Sequence, residues 1–431
     1  MKVIRTRGRG RGAQKAAETV AMLARHGGAA LDAVFPAVKR IVNNVHKSGD
    51  RALLRYARRL DGFAGADTLR IGVSEMAAAW HSTPVDLQAA LTTAAEQIRN
   101  FAARQLPQSW TDSSTSGLAI SQLVRPLASV GCYVPSGRHP LPSTLLMTAV
   151  PAQVAGVQRI VVVSSKAAME TLAAAHLLGI EEFYRVGGAH AVAALAYGTA
   201  SIPRVDKIVG PGNLYVTAAK RMVAFDCAID MLAGPTEIVV TSEHGKAGEI
   251  AADLVAQAEH DPAALAIFIT TREQLGRQVL AECKLQSRGN PTAQASLQKN
   301  GIIIVASSVD EARAITNRIA PEHLTIDSAE DLDWVQNAGS VFIGRWSAQP
   351  MGDYISGPNH TLPTGGMARV RGGLSVNDFV KLITVQEYDE AALHAFGPQA
   401  ALIAEAEGLC GHAEAIRVRM RISTRGGTSH A

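Results

Sequence analysis

With 431 residues, the chain has room for two or three domains whose cores need no covalent staples. A net charge of +4 and an aromatic content of 5% argue against a phosphate-tracking or base-stacking nucleic-acid surface, and no apolar run approaches a membrane span. Four scattered cysteines, Cys132, Cys227, Cys283 and Cys410, form no CxxC pair, which argues against a disulfide scaffold or thiolate zinc site and for a soluble, cytoplasmic protein.

At the N-terminus, Lys2, Arg5, Arg7, Arg9, Arg11 and Lys15 precede the first acid, Glu18. A transit peptide has that charge pattern. This stretch is poor in serine, however, and runs into helical spacing at Val20, Leu23, Leu31, Val34, Val38, Ile41 and Val45, so it reads as a basic lead-in to helix. Residues 20–105 keep that helical spacing. From about residue 122 short β-branched runs alternate with Ala- and Leu-rich stretches. The spacing predicts strands at 159–163, 182–186, 207–209, 237–240, 265–270, 301–305, 324–326 and 340–343, with helices between them. Strand–helix alternation implies parallel sheets covered on both faces, and these strands are too many for one sheet of this length. Two α/β domains are expected.

Residues 352–374 interrupt the pattern with Gly352, Gly357, Pro358, Pro363, Gly365, Gly366, Gly372 and Gly373, through which neither helix nor strand can run. The embedded Asp353, Tyr354, Asn359 and His360 make it read as a functional loop. Beyond Asp378 the chain reads helical again, through Leu393, Leu402, Ile403 and Leu409. It closes on Arg417, Arg419, Arg421 and Arg425, a solvated end.

Three constellations could carry chemistry. Asp253, Gln257 and His260 fall on one line of a predicted helix beside the buried stripe Ile250, Leu254 and Ala258. Spacing leaves open whether that line meets a ligand or is a solvated face ending in a histidine favourable to the helix dipole. Glu322-His323 follows Pro321 at the entry of a predicted strand, where a carboxylate and an imidazole can supply two proton-transfer groups of different pKa; a surface dipeptide is the plainer alternative. Gly210-Pro211-Gly212-Asn213 joins a strand to a helix, where backbone N–H groups can meet an anion. Tyr215 occupies the place of the third glycine, so the turn is not a GxGxxG fingerprint, and glycine spacing alone implies no nicotinamide cofactor.

Together these segments resemble the histidinol dehydrogenase family. The resemblance rests on Gly131-Cys132-Tyr133-Val134-Pro135, residues 140–142, Leu195-Ala196-Tyr197-Gly198-Thr199 and residues 209–213. It continues with residues 233–237 (AGPTE), 257–262 (QAEHDP), 321–324 (PEHL) and 352–363 (GDYISGPNHTLP). These runs keep the family's order and spacing over nearly the whole chain.

The resemblance implies two incomplete Rossmann-like domains with parallel-sheet cores and small N- and C-terminal helical appendages. Residues 1–22 would be an N-terminal segment, 23–128 with 237–380 the domain carrying zinc and catalytic residues, 129–236 the cofactor side, and 381–431 an appendage reaching the partner's site. It implies oxidation of L-histidinol through L-histidinal to L-histidine with two NAD⁺, by a homodimer with shared active sites and one Zn²⁺ per subunit. Glu322 and His323 would transfer protons. Gln257, His260, Asp353 and, from the partner, His412 would hold zinc. Thr236, His360 and Glu407 would join these residues around the substrate, and Tyr133, His190 and Asn213 would meet the cofactor. His190 stands where the family often carries glutamine, and Thr236 where serine is common; Ser136 and Arg138-His139 lie in a loop often richer in glycine. The competing expectations are a same-fold dehydrogenase for another small alcohol, such as a sulfonated diol, and a non-catalytic zinc-binding relative.

Overall fold

The computed structural model describes residues 1–7, 11–23, 31–64, 68–136 and 140–423. Arg9, Arg138, His139 and Arg425, singled out above, lie outside the described residues. The described chain forms two compact units: one holds Met1–Leu106 and Leu127–Phe379, the other Pro107–Pro126 with the described residues from Val380 onward.

The larger unit contains two six-stranded sheets. The first is parallel throughout and runs Lys2–Arg5, Ile302–Val305, Leu265–Thr270, Glu237–Thr241, His323–Ile326, Ser340–Ile343. Its central strands are continuous buried apolar runs, as parallel strands covered on both faces must be. Ala247–Ala258 and Glu273–Gln286 seal one face around Ile238, Phe268 and Val279, and Val309–Ile319 seals the other around Val239, Ile267 and Leu324. The basic lead-in is therefore not simply an approach to helix: Lys2–Arg5 is an edge strand, paired from Lys2↔Ile302 to Arg5↔Val305.

The second sheet runs Arg70–Ile71, Glu182–Tyr184, Arg159–Val163, Ser129–Tyr133, Lys207–Val209, Ala228–Ile229. All of its pairings are parallel except that of the edge strand Arg70–Ile71. The early helices belong to this sheet. Leu31–Ser48 packs on Gly188–Tyr197 and Leu214–Val223, and Val42, Val45 and Leu53 share one core with Val161, Val163 and Val192. Val73–Ser82 packs on Met169–Leu177, and Val85–Gln105 on Pro142–Ala155. Residues 31–105, expected with 237–380, thus pack on the second sheet and on the helices that cover it. Periodicity identifies a helix's buried stripe but not the surface that covers it.

The smaller unit is an antiparallel sheet, Val380–Tyr388, Leu118–Pro126, Trp110–Thr115, with helices Glu390–Ala406 and Cys410–Ser423. Helix was expected directly beyond Asp378. A nine-residue strand stands there first, rich in β-branched Val380, Ile383, Thr384 and Val385 and paired from Val380↔Pro126 to Tyr388↔Leu118. Asp389 then starts the helix by accepting the Ala392 N–H at 2.8 Å. All four cysteines are free, and no helix among the described residues is long and apolar enough to cross a membrane.

Candidate active site

In each sheet the chain changes direction beside its first long strand. In the second sheet, Ser129–Tyr133 has Arg159–Val163 on one side and Lys207–Val209 on the other, so the loops leaving the carboxyl ends of these strands diverge and open a crevice. In the first sheet the corresponding crevice, beyond Glu237–Thr241 and His323–Ile326, is filled from within. The Asp327 carboxylate accepts from Glu243 N–H at 2.7 Å, from His244 N–H at 3.2 Å and from the Ser242 hydroxyl. The open crevice of the second sheet faces instead the amino ends of the first sheet's central strands. Between them lies a cavity of about 350 Å³ whose lining includes Pro135, Gly210, Thr236, His260, Glu322, His323, Asp353 and His360.

Register builds the proton-transfer pair. Ile238 pairs with His323, so Glu237 sits beside the entry of the next strand. The Glu237 N–H donates to Glu322 Oε2 at 2.8 Å, and the Glu237 carbonyl lies 3.2 Å from His323 Nδ1. Thr236 donates its hydroxyl to the same Glu322 oxygen at 2.6 Å. Glu322 and His323 are both buried and lie 3.7 Å apart. Burial pushes the Glu322 carboxyl up to about 7, against the opposing pull of His323 and of the two hydrogen bonds. Burial works to lower His323, but the carboxylates of Glu322 and Asp353 outweigh it and raise it above the ordinary histidine value. Glu322-His323 is therefore an enclosed pair and not the surface dipeptide that was the plainer alternative.

Asp353 arrives from the Gly- and Pro-rich segment, on the short helix Pro350–Tyr354. Its Oδ1 lies 3.7 Å from His323 Nε2 and its Oδ2 accepts from Gln349 Nε2 at 2.9 Å. Burial opposes ionisation of Asp353, yet His323 and His360 hold its carboxyl below the usual range. His360 places Nδ1 2.9 Å from the Asp353 carbonyl and Nε2 3.4 Å from the Thr144 hydroxyl; burial lowers its pKa. Gln257 lies behind Thr236, donating Nε2 to its hydroxyl, while its Oε1 is buried without a hydrogen-bond partner. The helix carrying Gln257 ends at Ala258, which leaves His260 two residues beyond it and exposed at the cavity. Asp253, on the same line, is not among the cavity-lining residues. No group of three or more His, Cys, Asp and Glu side chains among the described residues is placed to hold a metal by itself. The orphaned Gln257 oxygen, the His260 imidazole and the Asp353 carboxylate nonetheless make a donor set suited to a divalent cation.

A family model for histidinol dehydrogenase matches residues 25–420. The chain is 46% identical over 396 residues to histidinol dehydrogenase of Geobacillus kaustophilus (strain HTA426), covering 89% of this chain and 93% of that protein. It is 43% identical over 417 residues to that of Bacillus anthracis, covering 94% and 97%. The crystal structure of histidinol dehydrogenase from Elizabethkingia anophelis superimposes with a TM-score of 0.86 at 35% identity, covering 91% of this chain and 93% of that one. The chain belongs to the histidinol dehydrogenase family.

Other positions expected from the histidinol dehydrogenase resemblance are placed less simply. Tyr133 is buried at the end of its strand, its hydroxyl accepting the Gly188 N–H at 3.0 Å, and burial pushes its pKa up to about 12. His190 is fully enclosed, with Nε2 2.9 Å from Asp61 Oδ2. That carboxylate also accepts the Gly187 N–H at 3.0 Å, so an internal anion already occupies the Gly187-Gly188 turn. Asn213 caps the helix Leu214–Val223 by accepting from Tyr215 and Val216 N–H. Glu407 and His412 lie in the smaller unit, both exposed, at the end of one helix and the start of the next. Sequence reasoning did not single out Thr144, Thr364, Lys220 or Asp230, all of which line the cavity. Nothing in local spacing marks them, because they come from helices and loops whose meeting point is set by packing.

Proposed function

We propose that the chain oxidises L-histidinol through L-histidinal to L-histidine at one site, reducing two NAD⁺. The observation that supports this most is the enclosed Glu322–His323 pair beside Asp353. His323 Nδ1 is held on the Glu237 carbonyl, which keeps its hydrogen there and leaves Nε2 to take the carbinol proton. Both fixed bonds to Glu322 end on Oε2, which leaves Oε1 for the water that must add to the aldehyde before the second oxidation. A carboxyl near 7 is suited to accept that proton and release it again at neutral pH. Bound NAD⁺ supplies the hydride acceptor.

Gln257, His260, Asp353 and His412 of the partner subunit would hold a zinc ion, which when bound supplies Lewis-acid polarisation and a fixed point for the substrate's nitrogens. The orphaned Gln257 Oε1 supports this assignment, since burying a carbonyl oxygen without a partner is costly. Thr236 orients both Glu322 and Gln257, and His360 closes the cavity beside Asp353. Glu407 of the partner subunit would pair with the substrate ammonium in a homodimer with shared sites. Tyr133, His190 and Asn213 would border the dinucleotide side. A sulfonated substrate fits the cavity poorly: among the described residues Lys220 is the one lysine or arginine lining it and is paired with Asp230, while Glu322 and Asp353 add two further carboxylates.

The test is a stoichiometric assay. Two NADH and one histidine per L-histidinol are expected. One NADH per substrate with release of aldehyde, or no turnover, would reject the reading.

A further inference from the structure

One ion pair at the cavity wall has no part in the proton transfers. Lys220, on the helix Leu214–Val223, and Asp230, just beyond the edge strand Ala228–Ile229, are 3% and 5% exposed, with their charged atoms 2.7 Å apart. Both grip the same residue. Gly210 donates its N–H to Asp230 Oδ2 at 2.8 Å, and Lys220 Nζ donates to the Gly210 carbonyl at 2.5 Å. Asp230 Oδ1 also accepts the Met231 N–H at 2.6 Å, and Arg371 donates to the Asp230 carbonyl. Gly210 is conformationally demanding: its φ is +110°, and a Cβ there would stand 2.2 Å from the Tyr133 carbonyl oxygen.

A buried ion pair is a poor source of net stability, because desolvating two charges offsets most of their attraction. Apolar side chains of similar volume would fill this space as well. They could not bond both polar groups of one glycine. We propose that Lys220 and Asp230 are positioning residues that hold the Gly210-Pro211-Gly212-Asn213 turn in the conformation that receives the dinucleotide. Asn213 fixes the far end of the same turn by capping the helix from which Lys220 projects, so the turn is held at both ends. The proposal rests on the reading that this turn borders the cofactor.

The experiment compares the full-length wild type with Lys220→Met and with the double variant Lys220→Met, Asp230→Asn. The double variant carries no unpaired buried charge and serves if the single one does not fold. Three quantities are read: the NAD⁺ dissociation constant, the steady-state constants, and hydrogen exchange of the peptide containing Gly210. A preorganised turn predicts about a tenfold rise in the dissociation constant and KM for NAD⁺, with kcat at saturating NAD⁺ and the KM for L-histidinol within about twofold. Exchange at Gly210 should quicken. Unchanged exchange overturns the clamp. Quickened exchange with unchanged NAD⁺ affinity overturns the assignment of the turn to the cofactor instead. A fall in kcat with NAD⁺ affinity intact assigns the pair to the scaffold, and this too overturns the proposal.

Discussion

His323 Nδ1 lies 3.2 Å from the carbonyl oxygen of Glu237, across the register step where the neighbouring strands Glu237–Thr241 and His323–Ile326 begin. The contact sets the tautomer of the histidine through the backbone, so no second side chain is needed to orient it. His323→Asn removes the Nε2 base while keeping a donor near the carbonyl. Both oxidations should slow by about a hundredfold or more, since each involves an oxygen-bound proton. The check is NADH formation from L-histidinol and, separately, from supplied L-histidinal; an unaffected second oxidation would refute the shared role.

Glu322→Gln should act mainly on the aldehyde-to-acid half, the only half that consumes water. With the wild type, that half should quicken as pH rises through about 7, because the carboxyl must be ionised to accept a proton and burial raises its pKa to that value. Above that range it should level off. The variant should be slower by about a hundredfold in this half and lose the pH step. Oxidation of supplied L-histidinal at the wild-type rate would remove Glu322 from water activation.

Asp253 offers a stability prediction separate from catalysis. Burial pushes its carboxyl up to about 6, against the lowering effect of the Gln349 N–H. The folded-state value lies above the unfolded value of about 4, so the native state holds the proton longer. The favourable contribution is full below about pH 4 and is lost as pH rises through about 6. Asp253→Asn should therefore stabilise the protein near neutral pH by about 1 kcal/mol, with the gain vanishing toward pH 4. Thermal unfolding across that range measures it, and an equal gain at every pH would show another cause.

Chelation should abolish L-histidinol turnover, and added Zn²⁺ should restore it. Gln257→Leu should lower bound zinc, read directly by elemental analysis, as well as activity. Full activity of the stripped protein would exclude a metal from the reaction.

Subunit complementation tests the shared site. His412→Ala and His260→Ala chains should each be inactive alone, and mixing them under exchange conditions should restore one intact site per heterodimer, which joins His260 of one chain to His412 of the other. No return of activity would place both residues in the same subunit's site.

Eight strands of the two six-stranded sheets were legible in residue patterns, although Ser129–Tyr133, inside the second sheet, was not. Runs such as Arg159–Val163, Leu265–Thr270 and Ser340–Ile343 are apolar or β-branched, short and bounded by breakers, so local chemistry alone marks them. The family motifs likewise identified Thr236, His260, Glu322, His323, Asp353 and His360, which the fold brings to one cavity. Other features depend on partners distant in the chain. Val380–Tyr388 is a strand because Leu118–Pro126 pairs with it, and the helix Leu31–Ser48 belongs with the second sheet because helices near residues 190 and 220 cover its apolar stripe. The same holds at finer scale for Lys220 and Asp230, which become neighbours of Gly210 only when a helix and an edge strand converge on one turn. Hydrophobic periodicity and turn chemistry act within a few residues and can be read along the chain. Pairing, burial and the shifted pKa of Glu322 arise from surroundings that exist only once remote segments have packed.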